Sequence, residues 1–449
     1  MNAAMNQLMT EGSIRRGIVG FAVPVFVGYL FQQLYNTADS LIVGNYLGEN
    51  ALAAVSSNAA FIYLIIGFFM GFATGAGVVI ARHIGANDPE QIRRAVHTSV
   101  AMGLAFSAVI SVLGAAVSPA ILRWMGTPAE VFGESCKYLR IYFAGATGLV
   151  MYNMFVGILQ ASGDSRHPLY YLVISSLVNV ALDLLFVAAL GMGVEGAAYA
   201  TVISQFLSMV LAGARLMRTE GSIRLCPARI RFDLENLREI VRNGLPTALQ
   251  GSVIDLSNLL IQSYINTFGN LAMAGIGAST KVEGFAFLPI TAFSIAVTTF
   301  VSQNMGARRY DRVKQGIRFG LGCAVAAIEV MGAVLFLLAP QLVGLFNRNP
   351  EVIAFGVGRT RVCGLFYCLV GFSHVASAVM RGLGKPMTPM VIMLTCWCAV
   401  RIAVLFTLGQ VLHDIRLAFW IYPITWTLST AAYVLLLKRI RVDHLAAAA

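Results

Sequence analysis

The chain is poor in charge. Asp, Glu, Lys and Arg together make 12% of its 449 residues, and no polar stretch is long enough to form a separate soluble domain. It is also poor in cysteine. The seven thiols (Cys136, Cys226, Cys323, Cys363, Cys368, Cys396, Cys398) are odd in number and mostly stand inside apolar runs, so neither a zinc site nor a disulfide framework fits. They read as reduced thiols filling small apolar positions. No nucleophile–base set is apparent. The GLGKP run at 382–386 is not a phosphate loop, because its spacing is wrong and Pro386 stands where Ser or Thr is needed. An enzyme is therefore not expected, and energy has to come from an ion gradient or from another chain. The opening MNAAMNQLMTEGSIRRG lacks a short apolar core followed by a small-residue cleavage site. The first apolar span is thus expected to serve as its own insertion signal.

What the chain does contain is hydrocarbon. Hydrophobic residues make 58% of it and the mean hydropathy is +0.75. Twelve stretches are long enough to cross a bilayer core of roughly 30 Å. Six lie at 14–44, 51–81, 92–118, 132–161, 168–190 and 194–216. Six more lie at 238–268, 271–303, 312–339, 353–381, 387–410 and 415–438. Without an alternating strand pattern, only helices satisfy the backbone in lipid, so an all-α integral membrane fold is expected. The net charge of +11 is a topology signal rather than a nucleic-acid footprint. Of the 32 basic residues, about 23 fall in loops on one side and about 7 on the other, which places both termini in the cytoplasm.

The chain also repeats itself. At an offset of 221 residues, Ala53 meets Ala274, Gly85-Ala86 meets Gly306-Ala307, and Pro119 meets Pro340. Arg140 meets Arg361, Gly163 meets Gly384 and Pro168 meets Pro389, while Pro24 meets Pro246 one residue out of step. The expected organisation is a six-helix lobe at 1–216, a cytoplasmic linker at 217–237 and a second six-helix lobe at 238–449. Six is even, so both lobes enter the membrane alike and are expected to be related by a pseudo-twofold axis along the membrane normal. The loops RHIGANDPEQIRRAV and QNMGARRYDRVKQGI, and those at Gly163-Asp164 and Gly384-Lys385, read as structural helix–helix turns.

Ionisable residues inside apolar spans are functional candidates by default. Asp39 lies late in the first span and Asp183 in the fifth, with Tyr35 and Asn179 four residues earlier on the same helix faces. Counted at about 1.5 Å per residue, both acids sit beyond the midplane and can meet in one pocket. Two carboxyls in an apolar pocket hold a proton between them, or with amide and hydroxyl oxygens coordinate Na⁺. The repeat places Leu260 or Ile261 opposite Asp39, and Val404 opposite Asp183, so the acidic pocket belongs to one half. Pro24 lies in the span of Asp39, and Pro246 repeats it; each removes a backbone hydrogen bond and can bend its helix. In the second half Asp255, Lys281 and Glu283 fall near the midplane, with His374 and Arg401 adding polarity. Here Asp255 and Lys281 can pair, leaving Glu283 available to a ligand. Glu329 has no evident partner.

Taken together, P-x14-D with QQLYNTADSLIVGNYLG, then NVALDLLF, GVEGAAYAT, FVSQNMGA with RYDRVKQGI, and MRGLGKP are specific, and the whole chain resembles the multidrug and toxic compound extrusion (MATE) transporters. The resemblance implies twelve helices in two lobes and export of organic cations in exchange for H⁺ or Na⁺ by alternating access. It implies no cofactor, a monomer, and an inner-membrane location. It carries an ion-coupling role onto Asp39, Asn179 and Asp183, with Tyr35, Asn153 and Thr201 around them. Asp39, Asn179, Asp183 and Thr201 are the implied ligands should the ion be Na⁺. The chain resembles the branch with its coupling acids in the first lobe; Asp255 is near, but out of register with, the acid of the other branch. Asp255, Glu283, Lys281 and His374 are the candidates for substrate contact. The expected partners are the lipid bilayer and lipophilic, cationic small molecules, with no nucleic acid. The alternative is a lipid or lipid-linked sugar flippase of the same superfamily.

Overall fold

A computed structural model describes residues 8–440. Among them every regular element is helical. The first half holds α1 (Ile14–Leu47), α2 (Glu49–Gly85), α3 (Pro89–Trp124), α4 (Ala129–Ala144), α5 (Ala146–Ala161), α6 (Arg166–Asp183) and α7 (Gly193–Arg218). The second holds α8 (Leu234–Asn266), α9 (Asn270–Ala286), α10 (Leu288–Gly306), α11 (Tyr310–Gly344), α12 (Pro350–Gly364), α13 (Tyr367–Gly382), α14 (Met387–Met393), α15 (Val400–Leu412) and α16 (Ile415–Arg439). Short π-helical segments, Leu184–Ala189 and Leu394–Ala399, extend α6 and join α14 to α15.

Nine helical stretches among the described residues are long and apolar enough to cross a membrane, and two bent pairs bring the number to eleven. The twelfth expected span is α8, long enough at 33 residues but interrupted by Gln250, Ser252, Asp255, Ser257 and Asn258. The bends fall at matched places in the repeat: 46° between α4 and α5 at Gly145, and 57° between α12 and α13 beside Phe366. The second bend frees the Cys368 amide, which donates to Glu329 Oε2 at 2.9 Å. Glu329 thus has a partner that the sequence does not announce, the backbone of a broken helix.

The recurring loops are helix ends. Asn87 and Arg308 both adopt left-handed backbone (φ 55° and 57°) after their Gly-Ala pairs. Asp88 N donates to His83 O at 3.2 Å, and Arg309 N to Asn304 O at 2.9 Å, closing the same 6→1 turn. Gly163 and Gly384 (φ 90° and 75°) do likewise, with Asp164 N on Leu159 O and Lys385 N on Met380 O. Asp88 then caps α3 ahead of Pro89, accepting from the Glu90 and Gln91 amides.

The described chain divides into two compact units, 27–248 and 8–26 with 249–440. The divisions fall inside α1 and α8, two residues beyond Pro24 and Pro246, rather than in the 217–237 segment where the sequence suggests a break. In the first unit Gly71 and Gly75 of α2 face Ala248 and Gly244 of α8. A Cβ on Gly75 would lie 2.5 Å from Gly244 Cα, and one on Gly71 2.4 Å from Ala248 Cα. Small residues four apart let the two backbones touch. Gly75→Val is therefore expected to lower the yield of folded protein in detergent and its melting temperature, with Gly277→Val, where a Cβ meets open space, as the unaffected control.

In the second unit residues 8–12 are strapped onto the α10–α11 corner. Met9 N donates to Gln303 Oε1 at 2.9 Å, and Arg312 donates to the Met9, Glu11 and Gly12 carbonyls at 2.9–3.1 Å. Arg309 adds a bond to Thr10 O at 3.0 Å. The repeat-related corner of the first unit holds residues of the linker: Cys226 N donates to His97 Nε2 (3.1 Å) and Asp233 N to Thr98 Oγ1 (3.0 Å). Charge-assisted bonds contribute more than neutral ones, so Arg312→Ala is expected to speed amide exchange of residues 8–12 by about tenfold or more. Exchange in the middle of α11 should stay at the wild-type rate.

Candidate functional site

In the first unit α1 supplies Asp39 and α6 supplies Asn179 and Asp183. The two carboxyl groups face each other closely enough to interact directly. Asp183 and Asn179 are buried, and the Asn179 amide, oriented to satisfy both its ends, donates to Asp183 Oδ2 and accepts from Thr201 N of α7, each at 3.3 Å. The second oxygen of each acid, Oδ1, is buried and accepts no hydrogen bond. Neither acid forms an ion pair among the described residues. Thr201 directs its hydroxyl to Ala197 O (3.0 Å), so its amide, rather than its side chain, meets the site.

Two residues join that the sequence reading passes over. Tyr138 and Tyr142 of α4, buried and stacked with ring centroids 6.2 Å apart, bring the Tyr138 hydroxyl within electrostatic reach of Asp39, Tyr35 and Asp183. The signal was present as a tyrosine pair four residues apart, but without a charge it looks like ordinary core. Asn153 donates to Leu149 O of its own helix and lines a small cavity with Phe69, Phe106 and Met154. Of the six expected residues the structure brings together Asp39, Asp183, Asn179 and the Thr201 amide, with Tyr35 within electrostatic reach of Tyr138. No group of three His, Cys, Asp or Glu side chains capable of holding a metal occurs among the described residues; the side-chain oxygens gathered here come from two acids and an amide.

In the second unit the expected pairing is overturned. Asp255 and Lys281 are both exposed and form no ion pair with each other. Lys281 lies 5.7 Å from the Phe346 ring centroid. Glu283, expected to be available, is 8% exposed and engaged: Arg359 Nη2 donates to its Oε2 at 2.6 Å and Tyr367 Oη to its Oε1 at 3.0 Å. Arg359 also reaches Ser279 (3.1 Å) and Thr280 (3.3 Å). Residues 281 and 283 differ by about 200° around a helix, so only one of them can face the interior. His374 stands half-buried among rings, 5.3 Å from Trp397 and 6.2 Å from Phe287.

Arg359 and Arg401 are the cations buried with this cluster. Arg359 was hidden in the sequence because it stands near the start of its span, where a basic residue reads as a loop anchor. The repeat makes the polarity explicit. Arg359 occupies the place of Tyr138, Arg401 that of Val180, and Tyr422 that of Thr201. Matched regions of the two units thus hold two acids in the first and, in the second, two arginines with one acid.

The MatE family model matches residues 24–185 and again 246–407, the same region of each half. The chain belongs to the MatE family. Its relatives include the probable multidrug resistance protein YoeA of Bacillus subtilis (strain 168), 29% identical over 95% of this chain and 94% of that one. They also include an FAD transporter of Shewanella oneidensis, 24% identical over 96% of each. Among solved structures, an outward-facing multidrug resistance MATE transporter of the MOP superfamily superposes with a TM-score of 0.91, at 25% identity and 99% coverage of both chains. This MatE protein is therefore a multi-pass membrane protein with the MATE transporter fold, from a family of small-molecule transporters rather than enzymes.

Proposed function

We infer that this MatE protein is a secondary antiporter that exports lipophilic small molecules, organic cations among them, in exchange for H⁺ or Na⁺. The observation that carries the reading is the Asp39–Asp183 pair: two carboxyls brought together, each with a buried, unpartnered Oδ1 and no basic residue against it. Adjacent like charges in an apolar interior cannot both ionise unless a cation lies between them, so the pair holds a proton or takes up a metal cation. The oxygens of Asp39, Asp183 and Asn179 suit Na⁺ as a hard cation, and Thr201 would join them by turning its hydroxyl away from Ala197 O.

Exchange requires that the ion-loaded and ion-free forms differ in their affinity for solute, so ion and solute compete through one equilibrium. Pro24 and Pro246 are the assigned bending points, a role supported by the unit divisions two residues beyond each. The bias of basic residues supports an inner-membrane placement with both ends cytoplasmic, and the protein is taken to act as a monomer. Relatives named for multidrug resistance favour solute export over the flippase reading.

The test is export of a fluorescent organic cation from proteoliposomes under an imposed pH gradient, then under an imposed Na⁺ gradient. Export driven by one gradient names the ion. Failure of both gradients to move any cation would return the flippase reading, with lipid-linked sugars as the next substrates.

A further inference from the structure

Arg401 of α15 is 1% exposed, yet it has no counter-ion. Its Nε donates to Thr425 Oγ1 and its Nη1 to Asn258 Oδ1, both at 3.2 Å and both neutral. Its guanidinium carbon lies 4.7 Å from the Tyr422 ring centroid and 5.1 Å from that of Trp397. Among the described residues it makes no ion pair, and its Nη2 makes no hydrogen bond.

Arg359 in the same unit shows how a structural arginine is satisfied there. It has Glu283 at 2.6 Å and two hydroxyls besides. Glu283 in turn is filled by Arg359 and Tyr367, which leaves it nothing to offer Arg401. Two guanidinium groups and one carboxylate leave an uncompensated positive charge inside a membrane-spanning unit. Aromatic faces offset only part of that cost. A guanidinium with an unused donor and no acid bonded to it is complementary to a carboxylate, phosphate or sulfonate, which its fork binds through parallel charge-assisted bonds.

We propose that the Arg401 cluster binds the acidic group of an organic anion or zwitterion, so that this transporter carries solutes with a negative group and an aromatic body. The rings of Trp397, Tyr422, Trp426 and His374, clustered in the same unit, suit that body. The proposal rests on the solute-export reading and names a substrate class for it.

The test uses two xanthene dyes of like shape and opposite charge, fluorescein and rhodamine 6G, titrated by fluorescence anisotropy against the full-length protein in detergent. Wild type, Arg401→Gln and Arg401→Lys are compared, each with its melting curve. Fluorescein is expected to bind wild type, and Arg401→Gln to weaken it by about tenfold or more while leaving rhodamine unchanged or tighter. Arg401→Lys should fall between, because it keeps the charge and loses the fork. Should Arg401→Gln not fold, a wild-type-melting Arg401→Lys with fluorescein selectively weakened carries the same conclusion. The proposal is overturned if fluorescein does not bind wild type, if a folded Arg401→Gln binds it equally well, or if both dyes weaken alike. Gradient-driven export of rhodamine that depends on Asp39 would survive any of those results, so the two readings can fail separately.

Discussion

Asp39→Asn and Asp183→Asn are each expected to reduce gradient-driven export to the level of empty liposomes while the protein still folds and inserts. Asparagine keeps the shape of the side chain and an oxygen to face the partner carboxyl. It cannot ionise, so the pair loses the charge that takes up and releases a cation. Because each acid already has its outer oxygen buried without a partner, the substitution removes no ion pair and strands no cation. The melting temperature of either variant should therefore stay near that of wild type, since the new amide can still hydrogen-bond the remaining carboxyl. Organic-cation binding in detergent should persist, because only the coupling step is lost. Asp39→Glu, one methylene longer but still ionisable, is expected to retain partial export. A well-expressed Asp39→Asn or Asp183→Asn that exports at the wild-type rate would remove the pair from the coupling mechanism.

Glu283→Ala is expected to be the most destabilising single change in the second unit, by about 3–5 kcal/mol. It leaves Arg359, which is 4% exposed, with a full charge and only the hydroxyls of Ser279 and Thr280 to receive it. Breaking one side of a buried pair costs far more than the pair contributes, because the surviving charge keeps its desolvation penalty without its partner. The double change Glu283→Ala with Arg359→Met should recover most of the loss. Asp255→Asn, which alters an exposed acid without an ion pair, should melt like wild type. Thermal melts of the four proteins in one detergent decide the matter. An unshifted Glu283→Ala would mean that the 2.6 Å contact with Arg359 contributes nothing, and that Glu283 is again open to a ligand.

Part of the candidate site is legible in the sequence. Asp39 and Asp183 stand out because an acid in a hydrocarbon-spanning run is expensive, and their neighbours at four-residue spacing mark the helix face. The second-unit assignments fared differently. Asp255, Lys281 and Glu283 have similar depths, and depth alone suggested that the nearest opposite charges pair. The actual partner of Glu283 comes from α12, and Asp255 and Lys281 are both exposed and unpaired with each other.

The sequence by itself determined the all-helical membrane fold, the duplication, the turns at Gly85-Ala86 and Gly306-Ala307, and the one-sided placement of the acidic pair. Those properties depend on residue type and on position along the chain, which length and spacing report directly. Tertiary structure alone decided which polar groups meet: Tyr138 beside the acids, Arg359 on Glu283, and Arg401 without a counter-ion. The missing quantity is the rotation of each helix about its own axis. In soluble helices the apolar stripe reveals it. Here lipid-facing and interior residues are equally apolar, so rotation is set by packing between helices and is not written in the hydropathy pattern.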